Sequence, residues 1–250
     1  MKAALKQFCG AAAGSGGFDH ATFSRLLGIY VSRDADGLNR VDYAAWKAAP
    51  TDLADLDGYI ARLQAESPAR LTRDEQFVFW INLYNAETLR VVLAAYPVRS
   101  ILFIRPGMFS IGPWRARTLR VNGRLLSLSD IENRILRPGF GDPRVHFALN
   151  CASTGCPVLR PVAWTAFNLD AELDAAAREL INGPRGARVK GGKLVLSTIF
   201  KWYRRDFGKT HAQMLDHLAT YAEQHVANQL RQANPRLRYA YDWSLIGKKG

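Results

Sequence analysis

The sequence predicts an α+β fold in which a central buried helix packs against a small, mainly antiparallel sheet, with further helices around it. Three observations carry this prediction. From Phe77 to Tyr84 the chain is apolar nearly all round a helical wheel, which marks a helix enclosed by protein rather than one lying on a surface. Two hairpin turn signals, Asn122-Gly123 and Gly191-Gly192, each sit between short strand-forming runs. The strand–helix alternation that builds a doubly wound parallel sheet is missing.

Residues 1–17 are small and Gly-rich, so a flexible N-terminal segment is expected there, followed by a single α+β domain over 18–246. Helical spacing begins near His20, with Phe23, Leu26, Leu27 and Tyr30 on one face. Asp34-Ala-Asp-Gly37 resembles the opening of a calcium loop, but Tyr43 stands where the closing acid belongs, so a plain turn is expected. Thr51 to Glu66 reads as an amphipathic helix stopped by Ser67-Pro68. Thr72 and Glu75 form a capping box that opens the strongest helix, which runs to about Tyr96 and stops at Pro97. At 100° per residue Glu75, Asn82 and Asn85 fall on one side of it, a narrow polar stripe on an apolar rod.

Beyond Pro97, Arg117 to Ser127 reads as a hairpin, Ser129 to Arg137 as a short helix capped by Ser129, and Arg144 to Asn150 as a buried strand. A helix from Asn168 to Ile181, a hairpin from Arg188 to Ser197, one long helix from Thr210 to Gln232 and a last strand near Tyr239 to Trp243 complete the chain.

An apolar share of 48% with 11% aromatic residues is ample for a sizeable core, and no apolar run is long enough to cross a bilayer. The 34 Lys and Arg against 22 Asp and Glu leave a net charge of +12, which suits an anionic partner. The basic residues are mostly scattered. Lys201 to Arg205 and the series Arg115, Arg117, Arg120 and Arg124 are dense, but neither matches a nucleic-acid motif, which argues against nucleic acid as the partner. Lys6 and Gln7 interrupt what would be a signal core, so the compartment reads as cytoplasmic, or as periplasmic or secreted for a chain already processed.

Chemistry concentrates between Arg144 and Pro157. Two of the chain's three cysteines and one of its five histidines fall within eleven residues there, His146, Cys151 and Cys156. A partly exposed thiolate with a basic neighbour is the requirement for thiol chemistry. If the segment from His146 to Cys151 stayed extended, the two side chains would lie ~16 Å apart on opposite faces. The pair then needs a chain break near Leu149 or Asn150, or a base from elsewhere, for which His20 is the first candidate. Asn82 or Asn85 could serve as a third member that orients an imidazole, or could simply tie down loop backbone. The same two thiols could instead bridge each other in an oxidising compartment.

Four segments together resemble the bacterial members of the domain-of-unknown-function 547 family. They are Glu-Gln-Phe-Val-Phe-Trp-Ile-Asn-Leu-Tyr-Asn-Ala (75 to 86), Leu-Ser-Asp-Ile-Glu-Asn-Arg-Ile-Leu-Arg-Pro (128 to 138), Asp-Pro-Arg-Val-His-Phe-Ala-Leu-Asn-Cys (142 to 151) with Cys-Pro (156 to 157), and Phe-Lys-Trp-Tyr-Arg-Arg-Asp-Phe (200 to 207). Order and spacing match over about 20 to 245. The resemblance implies a family of unassigned biochemistry, in which plant members add a coiled-coil segment and many bacterial members begin with a secretion signal. It also implies that Cys151 pairs with His146 while the position of Cys156 accepts serine. That singles out Cys151 and weakens a metal or essential-disulfide reading.

Two functions are carried forward. The first is a cysteine-dependent hydrolase or acyl-transfer enzyme acting on a peptide or amide bond. Cys151 is its nucleophile, His146, Asn85, Asn82 and His20 its candidate catalytic partners, and backbone N–H groups of Ala152 to Gly155 the donors that receive its oxyanion. Glu75, Arg144, Asn150, Ser153, Trp114 and Tyr84 are the candidate substrate-binding residues. The second is a non-catalytic binding or scaffold domain for an unknown ligand, with Cys151 and His146 structural. A zinc reading of His146, Cys151 and Cys156 lacks a fourth ligand, and neither metal nor cofactor is expected. The partner is a small molecule or peptide of unassigned identity.

Overall fold

A computed structural model of the protein describes Phe8 and residues 15–107, 110–190, 193–231 and 237–248. The first helix, α1 (Ala21–Tyr30), forms where the apolar spacing places it and buries Phe23, Leu26, Leu27 and Tyr30. An antiparallel hairpin follows, β1 (Val31–Arg33) with β2 (Asn39–Val41). The aspartates of its turn, Asp34 and Asp36, both bind the Arg40 guanidinium, so their charge is matched inside the hairpin. Two helices, α2 (Tyr43–Lys47) and α3 (Pro50–Ala65), then lead to the longest, α4 (Arg73–Ala95).

Thr72 starts α4 by accepting the Glu75 N–H at 3.3 Å. Val78, Phe79, Trp80 and Ile81 are fully enclosed on four successive positions, so the helix is surrounded on every side at that level. Burying each such side chain stabilises the fold by roughly 1.5–3 kcal/mol. Phe8 closes one flank, edge-on to Trp80 at 5.5 Å, and its carbonyl accepts the indole N–H. The rest of the expected flexible segment, 1–7 and 9–14, lies outside the described residues.

The fold is α+β, and its strands are spread over three small sheets. After β1–β2 comes the hairpin β3 (Arg117–Val121) with β4 (Arg124–Ser127), which turns at Asn122-Gly123, both at positive φ. The helical stretch α5 runs through Leu128–Asp130, a π turn over Ile131–Leu136, and Arg137–Phe140. Its cap is Ser127 rather than Ser129: the Ser127 hydroxyl accepts the Asp130 N–H and the Asp130 carboxylate accepts the Ser127 N–H.

The stretch expected to be a strand at 144–150 is instead one helical turn, α6 (Val145–Ala148). Asp142-Pro143 explains this. The Asp142 carboxylate accepts the Arg144 N–H at 2.8 Å, and Pro143 is preset for the first turn of a helix. Seven apolar-rich residues are too few for periodicity to separate strand from helix, and the start signal decides.

Helix α7 (Leu169–Asn182) leads into a three-stranded sheet of β5 (Ala187–Lys190) and β6 (Lys193–Ser197). The Gly191-Gly192 turn between these strands lies outside the described residues. Two short turns, α8 (Ile199–Trp202) and α9 (Arg204–Phe207), precede α10 (His211–Ala219) and α11 (Gln224–Arg231). The single long helix expected here is broken because the Asn182 amide reaches into the gap, donating to the Tyr221 carbonyl and accepting the Glu223 N–H. The last strand, β7 (Leu237–Ala240), begins and ends earlier than expected and runs parallel to β6.

Apolar side chains gather in two clusters, one around α4 and one around α7, β5–β6, α10 and α11. The turn α6 joins them, with Val145 and Ala148 in the first and Phe147 in the second. Past β7, residues 242–248 run back across the molecule as a strap. Its carbonyls at Asp242 and Ser244 accept N–H groups of Gly155 and Thr154, and the Ile246 and Lys248 N–H groups donate to Ala152 and Val41.

Candidate active site

The junction of the two clusters opens into a cleft of about 380 Å3. His146, Cys151 and Cys156 all line it, so the helical turn and the bend after it bring to one cavity what an extended segment would have held apart. The bend is built from Leu149 in extended form, then Ala152 at φ 62, with Asn150 as its brace. The Asn150 amide donates to the Pro157 carbonyl at 2.8 Å, and its oxygen accepts the Ala152 N–H at 2.8 Å. From α4, Asn85 holds the entry to the bend, donating to the Ala148 carbonyl at 3.0 Å and accepting the Asn150 N–H at 2.8 Å.

Inside the bend the two thiols touch, with sulfurs 2.6 Å apart. The Tyr241 hydroxyl lies 3.2 Å from each sulfur, and Ser153 bonds both Tyr241 at 2.8 Å and the Cys151 sulfur at 3.1 Å. The Cys151 N–H donates to the Cys156 sulfur at 3.0 Å. Once the pair has lost a proton, the two sulfurs in contact share the one that remains. Burial pushes the Cys156 thiol up, but the Cys151 thiol, the hydroxyls of Ser153 and Tyr241 and the Cys151 N–H outweigh it, so negative charge is favoured on Cys156. Cys151 is pushed well above the ordinary thiol range, first by its hydrogen bond to Cys156 and then by burial. Cys156 is buried and Cys151 is partly exposed. The guanidinium of Arg185 donates to the carbonyls of Thr154 and Cys156 and adds a positive charge behind the bend.

The backbone N–H groups of Ala152, Thr154 and Gly155 are already taken by Asn150, Ser244 and Asp242. This corrects the expectation that this loop receives an oxyanion through those three groups. The polar hydrogens that do face the sulfurs belong to Ser153, Tyr241 and the Cys151 N–H.

Elsewhere in the cleft lining His146 is 3% exposed and stacks on Tyr203 at 4.0 Å. Its Nε2 lies 2.7 Å from Asp206, which also takes the Arg137 fork at 2.6 and 3.0 Å. Nδ1 makes no protein hydrogen bond among the described residues, and no hydrogen bond joins His146 to Cys151. The Glu132 carboxyl, buried in the cleft wall against the Tyr203 hydroxyl, is raised above the usual range by burial. Tyr84, Trp114, Trp202 and Trp243 supply the aromatic wall.

Other residues expected at the site stand elsewhere. Asn82 clamps the backbone of Trp164 through both its amide groups, at 2.9 and 3.1 Å. His20 bonds the Tyr59 hydroxyl at 2.7 Å, and burial lowers it to about 4. Glu75 lies against Phe18 and is raised by burial. Arg144 ties α6 to α7 through Asp142, Asp170 and Asp174 at 2.7 to 2.8 Å. Sequence reasoning missed Glu132, Asp206 and Tyr241 as parts of the site. Glu132 and Asp206 nevertheless sit inside the segments 128–138 and 200–207, and an acid within each of these two motifs was the available signal.

Gly155 fixes how closely the strap approaches. A Cβ there would lie 2.8 Å from the Asp242 nitrogen and 3.0 Å from its oxygen, both backbone atoms. Gly155→Ala is therefore expected to part the strap from the bend and to destabilise the protein by about 1–3 kcal/mol. Urea unfolding reads this, and an unchanged midpoint would show that the strap yields freely.

Fold and cleft together define an α+β protein with a thiol pair at the mouth of an aromatic pocket. Residues 68–181 match the model of a family described as a protein of unknown function, DUF547. The matched part holds Asn85, Glu132, His146 and both thiols, while Tyr203, Asp206 and Tyr241 lie beyond it. Comparison with curated proteins and with solved structures found no match.

Proposed function

We propose that the protein is a cysteine-dependent hydrolase or acyl-transfer enzyme acting on a peptide or amide bond, with Cys151 as the nucleophile. The observation that supports this is the position of Cys151, the partly exposed member of a hydrogen-bonded thiol pair, in a cleft that also holds a His146–Asp206 pair. Cys156 accepts the proton from the Cys151 sulfur, along the contact the two already make. The freed sulfur attacks the carbonyl carbon, and the Tyr241 and Ser153 hydroxyls are the nearest donors to the charge that develops. The C–N bond breaks, the leaving amine takes, by way of His146, the proton that Cys156 accepted, and a thioester forms on Cys151. Water or an amine then attacks the thioester, releasing acid or a new amide and restoring the thiol.

Alkylation by iodoacetamide, located by mass spectrometry, tests the proposal. The adduct should form on Cys151, with an apparent pKa below the ~8.5 of an ordinary thiol, because the pair gives up its first proton readily. A profile at or above the ordinary value overturns it. The missing hydrogen bond between His146 and Cys151 favours a second reading, in which the aromatic wall binds a flat apolar ligand and the thiols are structural. An ordinary, slow thiol is its signature.

A further inference from the structure

The dense arginines of the hairpin play no part in the cleft just described, yet they adjoin it. Along β3 the chain alternates, with Leu119 and Val121 buried and Arg117 and Arg120 exposed. Arg115 precedes the strand, and Arg124 opens β4, also exposed. A hollow of about 340 Å3 lined by Arg115, Arg117 and Arg134 shares Ser129 and Asn133 with the cleft. A second hollow, of about 390 Å3, continues from it, sharing Arg117 and Arg134 and adding Arg120 and Arg124.

Cleft and hollows therefore form one path whose outer part is walled by arginine. The only carboxylate that lines the two hollows among the described residues is Asp130, which already caps Ser127 and pairs with Arg134 at 3.2 Å and Arg117 at 4.0 Å. Arg115 and Arg124 make no ion pair among the described residues. Arg25, Arg40, Arg137, Arg144 and Arg160, by contrast, are each held by an acid. Guanidinium groups without an acid, as at Arg115 and Arg124, attract anions and orient carboxylates through paired hydrogen bonds.

We propose that the substrate of this cleft is an acidic peptide, whose carboxylate side chains lie along the arginine path while the bond to be cleaved sits at Cys151. This rests on the peptide or amide reading of the site. The exposed hairpin side chains Arg117, Thr118, Arg120, Arg124 and Leu125 include no aromatic platform on which bases would stack, which favours a peptide over a nucleic acid.

Calorimetric titration of the full chain with a hexaglutamate peptide at low ionic strength is the test. Saturable binding is expected, weakened roughly tenfold or more in the Arg115→Glu, Arg124→Glu variant and falling steeply as salt rises. Both positions are exposed and unpaired, so the variant should keep the circular dichroism and melting of the parent. Hexaglutamate should also slow iodoacetamide modification of Cys151. Absence of saturable binding, binding unchanged in the variant, or equal binding of an oligothymidylate of the same charge would each overturn the proposal. Failure of the enzyme reading looks different: hexaglutamate binds and depends on the arginines, while Cys151 behaves as an ordinary thiol.

Discussion

Asn85→Ala is expected to lower the stability of the protein by about 3 kcal/mol, the largest single effect predicted for a polar residue here. The side chain is 3% exposed and makes two hydrogen bonds to backbone, to the Ala148 carbonyl and from the Asn150 N–H. Truncation leaves both buried groups without their partner, each at a cost of about 1–3 kcal/mol, and opens a small void. For a chain of this size the melting temperature should fall by roughly 6–12 °C. The effect should also reach the site, because the Ala148–Asn150 segment is what turns the chain between His146 and Cys151. Urea unfolding combined with the rate of Cys151 alkylation measures both, and a loss under ~1 kcal/mol would mean that water replaces the amide without penalty.

Asp206→Asn is the second. Burial alone would raise the Asp206 carboxyl, but the hydrogen bonds and charges of His146 and Arg137 outweigh it and hold it well below the usual range. Asparagine keeps the shape and loses the charge, turning one of its two acceptor edges into a donor that faces the Arg137 fork. The site is about a quarter exposed, so solvent screens part of the loss, and about 2 kcal/mol is expected at pH 7. The sign with pH follows from linkage. A carboxylate whose folded pKa lies below the unfolded value of ~3.9 contributes fully above that value and loses its contribution as pH falls through the folded one. The difference between wild type and variant should therefore be constant from pH 7 down to about 5 and shrink below about 4. Urea midpoints at pH 7, 5 and 3 decide it, and a gap that widens on acidification would remove Asp206 as the charged partner of His146.

Much of the helical part was legible in the sequence because its signals are local. The capping threonine and the all-round apolar run place α4, and the Asn122-Gly123 pair places the β3–β4 turn. The strand expected at 144–150 failed for a local reason too, since the Asp142-Pro143 start outweighed a short apolar run. What was not legible depends on distant segments meeting. Cys156 finds Tyr241 only because the strap returns across the bend, and His146 finds Asp206 only because α9 folds against α5. No spacing rule encodes a contact between residues sixty or more positions apart. The polar stripe of α4 was visible, but both asparagines are engaged with backbone, one at Trp164 and one beside the thiols.

The strap has a consequence for the order in which the site is made. Thr154 and Gly155 give their N–H groups to Ser244 and Asp242, which leave the ribosome long after them. At a synthesis rate of about 5–20 residues per second, the thiol loop waits roughly 5–20 s for the segment that closes it. During that interval the loop lacks the Tyr241 hydroxyl as well, and both sulfurs meet the oxidants and electrophiles of the cell unshielded. The thiol pair is thus a late product of synthesis, whose chemical history begins before its pocket exists. Pulse alkylation of stalled nascent chains, with and without residues 237–248 emerged, reads that interval directly.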